Sequence, residues 1–320
     1  MTGAGRAFVT GIGGQDGGYL AEQLVAEGVE VHALAHEAEP LPDRPGVELH
    51  PGDVTRTDDV RRLVLDLAPD EIYNLAAVSS VARSWEEPDL TAAVNGAAAV
   101  GVLDAAYRLQ ERSGRPVRVL QASSAEIFGQ PDRSPQDEST PIRPVNSYGA
   151  AKAYAHLMCG VYRRRGLHAA TAILYNHESP RRPPQFVTRK ITATVAAIAR
   201  GEADRLVLGN LDARRDWGWA PDYVDAMVRA ARADRPDDFV VATGRGHSVR
   251  ELVAAAFARA GVDDWERLVE IDPGLARPVD ATELVGDAGH ARSALGWAPT
   301  LTFEEVVARL VDAELDRLSR

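Results

Sequence analysis

The sequence predicts an α/β protein, a doubly wound parallel sheet followed by a smaller, discontinuous C-terminal domain. Three observations lead there. A short apolar run, Ala7-Phe8-Val9, opens directly into a turn with glycines at 11, 14 and 17. Strand-type and helix-type segments then alternate as far as Leu174, the pattern of a parallel sheet with crossover helices. Beyond that point the alternation weakens and arginine becomes denser.

Taken in order, residues 7–9 form the first strand, and an amphipathic helix runs from 18 to about 27. Between them, glycines let the turn be tight, let backbone approach a diphosphate, and let helix pack on strand, with the helix N-terminus facing the phosphates. Residues 29–34, 47–50 and 71–74 read as the next three strands, with a helix over 57–67. Asp53 follows the third strand and either meets an adenine edge or closes a turn. The small residues of Asn74-Leu75-Ala76-Ala77 leave room for a ligand to pass. A long helix is predicted over 89–108, a fifth strand over 117–120, a return to the sheet over 240–243, and a capped helix from Ser248. This is a Rossmann-type arrangement: a dinucleotide-binding domain of residues 1–174 plus about 220–245, and a second domain of residues 175–219 and 246–320.

Composition excludes several functions. A chain of 320 residues with 45% hydrophobic and 26% charged residues is long enough for a well-buried core. A net charge of −11 argues against nucleic-acid partners. The one cysteine, Cys159, leaves no disulfide framework or cysteine zinc site, and no other metal site is expected. No apolar run reads as a membrane span and the start is not that of a signal peptide, so a cytoplasmic protein without a membrane partner is expected.

The chemistry gathers around Ser147-Tyr148-Gly149-Ala150-Ala151-Lys152. On a helix, Tyr148 and Lys152 share a face roughly 6 Å apart. A phenol of ordinary pKa about 10 needs help to act as a base near neutrality, and an ammonium nearby favours the phenolate. Lysine occurs only at 152 and 190 among 36 cationic residues, the rest being arginine. A compact charge on a flexible stem is therefore singled out at these two places. The fifth strand delivers Ser124 and Glu126 to the same end of the sheet, where a hydroxyl can bond a substrate oxygen and a carboxylate can move a proton. Taken singly, each has a plainer reading, a turn cap for Ser124 and a solvated carboxylate for Glu126.

These motifs, with Asn176-His177-Glu178-Ser179-Pro180-Arg181-Arg182, Phe186-Val187-Thr188-Arg189-Lys190 and Arg215-Asp216-Trp217-Gly218, resemble the GDP-mannose 4,6-dehydratase family of extended short-chain dehydrogenases/reductases. The resemblance runs from about residue 6 to Trp297. It implies that Tyr148 takes the proton of a sugar C4 hydroxyl, Lys152 holds the nicotinamide ribose and the ionised Tyr148, Ser124 bonds O4, and Glu126 carries the C5 proton to the departing C6 hydroxyl. It further implies cofactor contacts at Gly11, Gly14, Gln15, Asp16, Gly17, His36, Asp53, Val54, Leu75, Ala76, Tyr148, Lys152 and His177. Substrate contacts are implied at Asn176, Val187, Lys190, Arg215, Arg277 and Asp280.

Three departures qualify the resemblance. Ala35-His36-Glu37-Ala38 stands where the family carries an arginine pair for the 2′-phosphate of NADP and a longer loop that helps build a tetramer, so NAD becomes an alternative to NADP and a homodimer is expected. Val78, Ser80 and Trp219 replace more polar residues expected near the hexose. Asp280 replaces a glutamate directed at guanine. The resulting expectation is a GDP-hexose 4,6-dehydratase; the alternatives are a GDP-sugar epimerase and a non-catalytic sugar-nucleotide binding protein.

Overall fold

The computed structural model describes residues 5–36, 44–275 and 283–319. Glu37, Ala38, Arg277 and Asp280 lie outside the described residues. The chain runs β1 (Arg6–Thr10), α1 (Gln15–Ala26), β2 (Glu30–Ala35), β3 (Val47–Pro51), α2 (Thr57–Leu67), β4 (Glu71–Asn74), α3 (Val81–Glu86), α4 (Pro88–Ala92), α5 (Ala98–Ser113), β5 (Arg118–Ser124) and α6 (Ser147–Arg164). It continues through β6 (His168–Leu174), β7 (Asn176–Glu178), α7 (Val187–Ala199), β8 (Leu206–Leu208), β9 (Arg214–Trp219), α8 (Ala220–Arg232) and β10 (Asp238–Val241). It ends with β11 (Gly246–Ser248), α9 (Val249–Ala260), β12 (Val269–Ile271), β13 (Glu283–Leu284), α10 (Gly289–Leu295) and α11 (Phe303–Leu318).

Seven strands form one parallel sheet in the order β10-β6-β5-β4-β1-β2-β3. One core, with Leu20, Leu24, Tyr223 and Met227, joins α1 and α8 to one face. The other, with Val60, Val64, Val102, Leu103 and Tyr162, joins α2, α5 and α6 to the opposite face. Because the chain builds outward from β1 to β3 and then crosses back to β4, a crevice opens at the carboxyl ends of β1 and β4, where ligands of such sheets bind.

A rung of polar side chains ties those strand ends together. Thr10 Oγ1 donates to Asn74 Oδ1 (2.6 Å), Asn74 Nδ2 to Gln121 Oε1 (2.7 Å), and Gln121 Nε2 to the Ala122 carbonyl (2.9 Å). All three side chains are buried, so pairing them meets their hydrogen-bonding needs while fixing the mouth of the crevice.

The predicted helix over 89–108 is a longer rod in three pieces, α4, a π turn at Ala93–Ala97, and α5. By length and composition, Pro88–Ser113 would suffice to cross a membrane, a correction to the sequence reading. Its apolar face is used within the fold: Ala98, Ala99, Val102, Leu103, Ala106 and Leu109 are buried. Inside the π turn, Asn95 accepts from the Val78 amide (2.8 Å) and donates to the Val78 carbonyl (3.1 Å), shaping the segment after β4.

The smaller part is built on β9, which pairs with β7, β11 and β13, with a separate β8–β12 pair. Residues of α7, α9 and α11, including Ile191, Val195, Phe257, Phe303 and Val307, form its core. Both α9 and α11 begin with reciprocal caps, Ser248 with Glu251 and Thr302 with Glu305. Leu284, Ala288, Ala291 and Trp297, which the sequence places in the smaller domain, pack into the core of the large sheet.

Candidate active site

The helix that carries the acid–base pair starts where it does because Asn146 caps it. Asn146 Oδ1 accepts from the Gly149 amide (2.7 Å), and its Nδ2 donates to Glu126 Oε2 (2.8 Å). One side chain thereby sets both the helix start and the direction of the carboxylate. Gly149 makes the approach possible, since a Cβ there would lie 2.5 Å from the Glu126 carbonyl oxygen. On the other side, the Tyr148 amide donates to Ser84 Oγ (3.2 Å), whose hydroxyl donates to the Val81 carbonyl (2.7 Å).

These elements enclose a cleft of ≈ 540 Å³ lined by Asp16, Leu75, Ser124, Glu126, Tyr148, Lys152, Asn176, His177, Val187, Lys190 and Arg215. Candidate catalytic residues from the large sheet thus face candidate substrate residues from the smaller part across one space. Lys152 is buried, donates to the Ala122 carbonyl (3.0 Å), and sits 6.0 Å from the Tyr148 ring centroid.

Electrostatics differ here from the simple acid–base picture. Burial pushes the Tyr148 phenol up to about 12, opposed by a hydrogen bond with Ser124, while the Glu126 charge adds to the rise. Burial draws Lys152 down to about 8 against the pull of Asp16. In the protein alone the phenol is therefore protonated, and Ser124 is the neighbour that most favours its ionisation.

At the glycine turn, Gly11 has φ +79°, and a Cβ on it would meet the Leu75 carbonyl carbon at 2.8 Å and the Ala76 amide nitrogen at 2.7 Å. Gly17 packs α1 on the turn after β1 so closely that a Cβ would meet Ile12 Cα at 2.8 Å. At Gly14 an added Cβ would approach only the Gly11 carbonyl oxygen, at 3.3 Å, and this residue caps α1 without a side-chain bond. A tight turn, a close helix and an open, uncapped N-terminus suit a diphosphate, so the residues fit a dinucleotide.

Gln15, Asp16 and His177 bind the turn to β7. Gln15 Nε2 donates to the His177 carbonyl (3.1 Å), and Ser179 Oγ donates to Gln15 Oε1 (2.8 Å). His177 lies 2.8 Å from Asp16 Oδ2 through Nε2 and 2.7 Å from the Tyr175 carbonyl through Nδ1. Two acceptors favour a ring protonated on both nitrogens. Burial lowers the His177 pKa, but the charge and hydrogen bond of Asp16 outweigh it and the pKa is raised; Asp16, despite burial, is lowered by the same partner.

His36 and Asp53 come together at the ends of β2 and β3, 4.0 Å apart, away from the residues lining the cleft. Asp53 Oδ1 closes its own turn, accepting from the Thr55 amide (2.8 Å) and hydroxyl (2.7 Å), so the plainer reading of this residue holds for that oxygen. Val54 packs toward the core beneath α2, and the Ala76 amide donates to Thr10 Oγ1 (3.1 Å). Trp219 is corrected: it ends β9 beneath Arg309 (5.5 Å) and is not among the cleft residues, because the chain turns into α8 at Ala220. Val78 is turned inward by Asn95, leaving Ser79 and Ser80 on the cleft wall.

Sequence reasoning missed Asn146 and Arg182. Asn146 was signalled by its place just before a helix, as capping residues are. Arg182 lines the cleft, lies 3.3 Å from buried Glu178, and stacks over Phe186 (3.7 Å). It stood in an arginine-rich segment where no single cation could be distinguished.

A seven-stranded doubly wound sheet whose crevice holds a Tyr-xxx-Lys pair, a serine and a glutamate defines the epimerase/dehydratase class of short-chain dehydrogenases/reductases. UDP-glucose 4-epimerase of Thermus thermophilus, solved in complex with NAD, is similar at TM-score 0.84 and 26% identity, over 97% of this chain and 98% of that one. The dTDP-glucose 4,6-dehydratase of Streptomyces venezuelae shares the fold at TM-score 0.85 and 22% identity, over 98% of each chain.

The chain belongs to the GDP-mannose 4,6 dehydratase family, whose model matches residues 8–310. GDP-mannose 4,6 dehydratase 2 of Arabidopsis thaliana is 43% identical over 98% of this chain and 88% of its own length. The human GDP-mannose 4,6 dehydratase is 39% identical over 97% of this chain and 91% of its own.

Proposed function

We propose that the cleft carries out the 4,6-dehydration of a GDP-hexose, GDP-mannose or a close relative, yielding the 4-keto-6-deoxy sugar and water. The observation that carries this reading is Glu126: a carboxylate oriented by Asn146 on the same cleft wall as Ser124 and Tyr148. A bound NAD or NADP supplies a store for the hydride taken from C4 and returned to C6. Gly11, Gly14, Gln15, Asp16, Gly17, His36, Asp53, Val54, Leu75, Ala76, Lys152 and His177 would hold it.

Ser124 would bond O4, and Tyr148, protonated in the protein alone, would have to be ionised in the loaded complex to accept the C4 hydroxyl proton as hydride leaves that carbon. The new ketone acidifies C5, and Glu126 takes its proton and gives it to the C6 hydroxyl, which departs as water. The proton kept by Tyr148 balances the one that C5 regains when hydride arrives at C6. Asn176, Val187, Lys190 and Arg215, with Arg277 and Asp280, would hold the nucleotide. We assign residues 1–174 and about 220–245 to the dinucleotide, and 175–219 and 246–320 to the sugar nucleotide.

Mass spectrometry coupled to chromatography after incubation with GDP-mannose tests the reaction: a product lighter by one water supports it, a new peak of unchanged mass makes the protein an epimerase, and unchanged substrate calls for other GDP-hexoses. Glu126→Gln should still oxidise C4 yet fail to eliminate water; full turnover by that variant would overturn Glu126's role.

A homodimer is the assembly we infer, through helices α3, α4 and α6. They pack together and expose Trp85 (50%), Leu90 (39%), Tyr154 (48%) and Leu157 (56%), an apolar surface of the kind that pairs with a second copy. A cytoplasmic location is supported by the buried free thiol of Cys159, the absence of nucleic-acid partners by the net charge of −11, and the absence of a membrane partner by the burial of the apolar face of α5 within the fold.

A further inference from the structure

At the open edge of the large sheet, β2 and β3 place His32, Glu48 and His50 together, away from the cleft. In their parallel register His32 lies opposite Glu48, and Leu34 opposite His50. Positions that are paired or two apart share a face, so all three side chains project to the same side. His32 Nδ1 is 2.9 Å from His50 Nε2 and 3.6 Å from Glu48 Oε2, and His50 Nε2 is 3.7 Å from Glu48 Oε1. Glu30, two residues before His32 on the same face, lies 2.9 Å from its remaining nitrogen, Nε2, through Oε1. Its other oxygen is held by Arg6 at 2.9 Å.

We propose that His32 Nδ1, His50 Nε2 and the Glu48 carboxylate bind one divalent transition-metal ion, with Zn²⁺ the best match.

Two histidines and one carboxylate form a donor set that zinc accepts, with a fourth position left to water. Imidazole nitrogens select against Mg²⁺ and Ca²⁺, which take oxygen ligands. The carboxylate behind His32 is the second observation pointing to a ligand. A metal-bound histidine commonly donates its other N–H to a carboxylate, which fixes the ring and strengthens it as a donor. Here Glu30 Oε1 accepts a hydrogen bond from Nε2–H, which leaves the Nδ1 lone pair facing His50 and Glu48. The two facing nitrogens must share a proton, and a metal would replace it. At zinc–nitrogen bonds of about 2.0–2.1 Å, tetrahedral ligands sit roughly 3.4 Å apart. The oxygens are already near that spacing, and the rings need to part by roughly half an ångström, a shift that edge-strand side chains can make. The ion would clasp the outermost strand to its neighbour just before Ala35, His36 and Asp53.

The test uses the untagged full chain. Titration with Zn²⁺ and Co²⁺ should give one ion per chain, the visible absorption of four-coordinate Co²⁺, and a zinc-dependent rise in melting temperature. His50→Ala should abolish all three, and Glu30→Gln should weaken binding by about 10–100-fold. Glu48→Gln, at an exposed side chain, should also lose the site while leaving fold and dehydratase turnover unchanged. The proposal is overturned if the wild-type chain takes up no stoichiometric zinc, or if folded His50→Ala and Glu48→Gln bind as the wild type does.

Discussion

At the scale of single residues, the cleft uses burial against hydrogen bonding. Tyr148 is pushed up by its surroundings and pulled back chiefly by Ser124. Removing that hydroxyl in Ser124→Ala takes away the opposing influence. The acid limb of the kcat/KM profile should then move to higher pH, with kcat falling by about 10²–10⁴ if proton transfer to Tyr148 is the step affected. An acid limb that stays in place would remove Ser124 from the ionisation of Tyr148.

Asp16 and His177 give a second residue-scale prediction, with opposite signs at its two ends. His177 is raised, so its stabilising contribution is complete below the unfolded histidine pKa and is lost as pH climbs through the folded value. Asp16 is lowered, so its contribution is complete above the unfolded carboxyl pKa and is lost as pH falls through the folded value. The pair therefore strengthens the fold most between those limits. In Asp16→Asn, the His177 resonance followed by NMR should titrate at lower pH, and the stability advantage at mildly acidic pH should shrink.

At the scale of elements, close approach decides. Gly149→Ala would force a methyl into the Glu126 carbonyl, separating α6 from the short turn that carries the carboxylate. Thermal unfolding should reveal a loss of about 1–3 kcal/mol. Turnover should fall as well, although neither Tyr148 nor Glu126 has been changed. Helix propensity alone predicts the reverse sign, since alanine exceeds glycine by about 1 kcal/mol in a helix.

Much of this was legible in the sequence because its information is local. Glycines at 11, 14 and 17 between a strand and a helix, and Tyr148 four residues before Lys152, express their geometry within one or two turns of chain. What could not be read depends on distant segments meeting. The His32–Glu48–His50 cluster exists only in the register of β2 against β3. Trp219 resembled a cleft residue by position, yet the turn from β9 into α8 takes it beneath Arg309. The predicted helix over 89–108 fell short at its C-terminal end, where the chain runs on to Ser113 and stops at Gly114 (φ +66°), and its π turn leaves no mark in residue type.

For the whole molecule, the exposed apolar surface on α3, α4 and α6 bears on assembly. The same α6 carries Tyr148 and Lys152 on its buried side and Tyr154 and Leu157 outside. Leu157→Glu should shift the molar mass seen by light scattering from two chains to one. A mass that is unchanged by this variant, or already that of one chain in the wild type, would move assembly elsewhere or abolish it.

The π turn at Ala93–Ala97 acts as a phase-setter within a single rod. Because it accommodates one extra residue, everything after it is rotated by roughly 100° relative to an uninterrupted α-helix. That offset lets one helix aim Asn95 at the backbone of Val78 and still bury Val102 and Leu103. Deleting Asn95 would let the rod continue as regular α-helix with Val102 and Leu103 still in their seat, yet it would remove the amide that holds Val78, so the neighbouring wall would slacken while the core stayed packed.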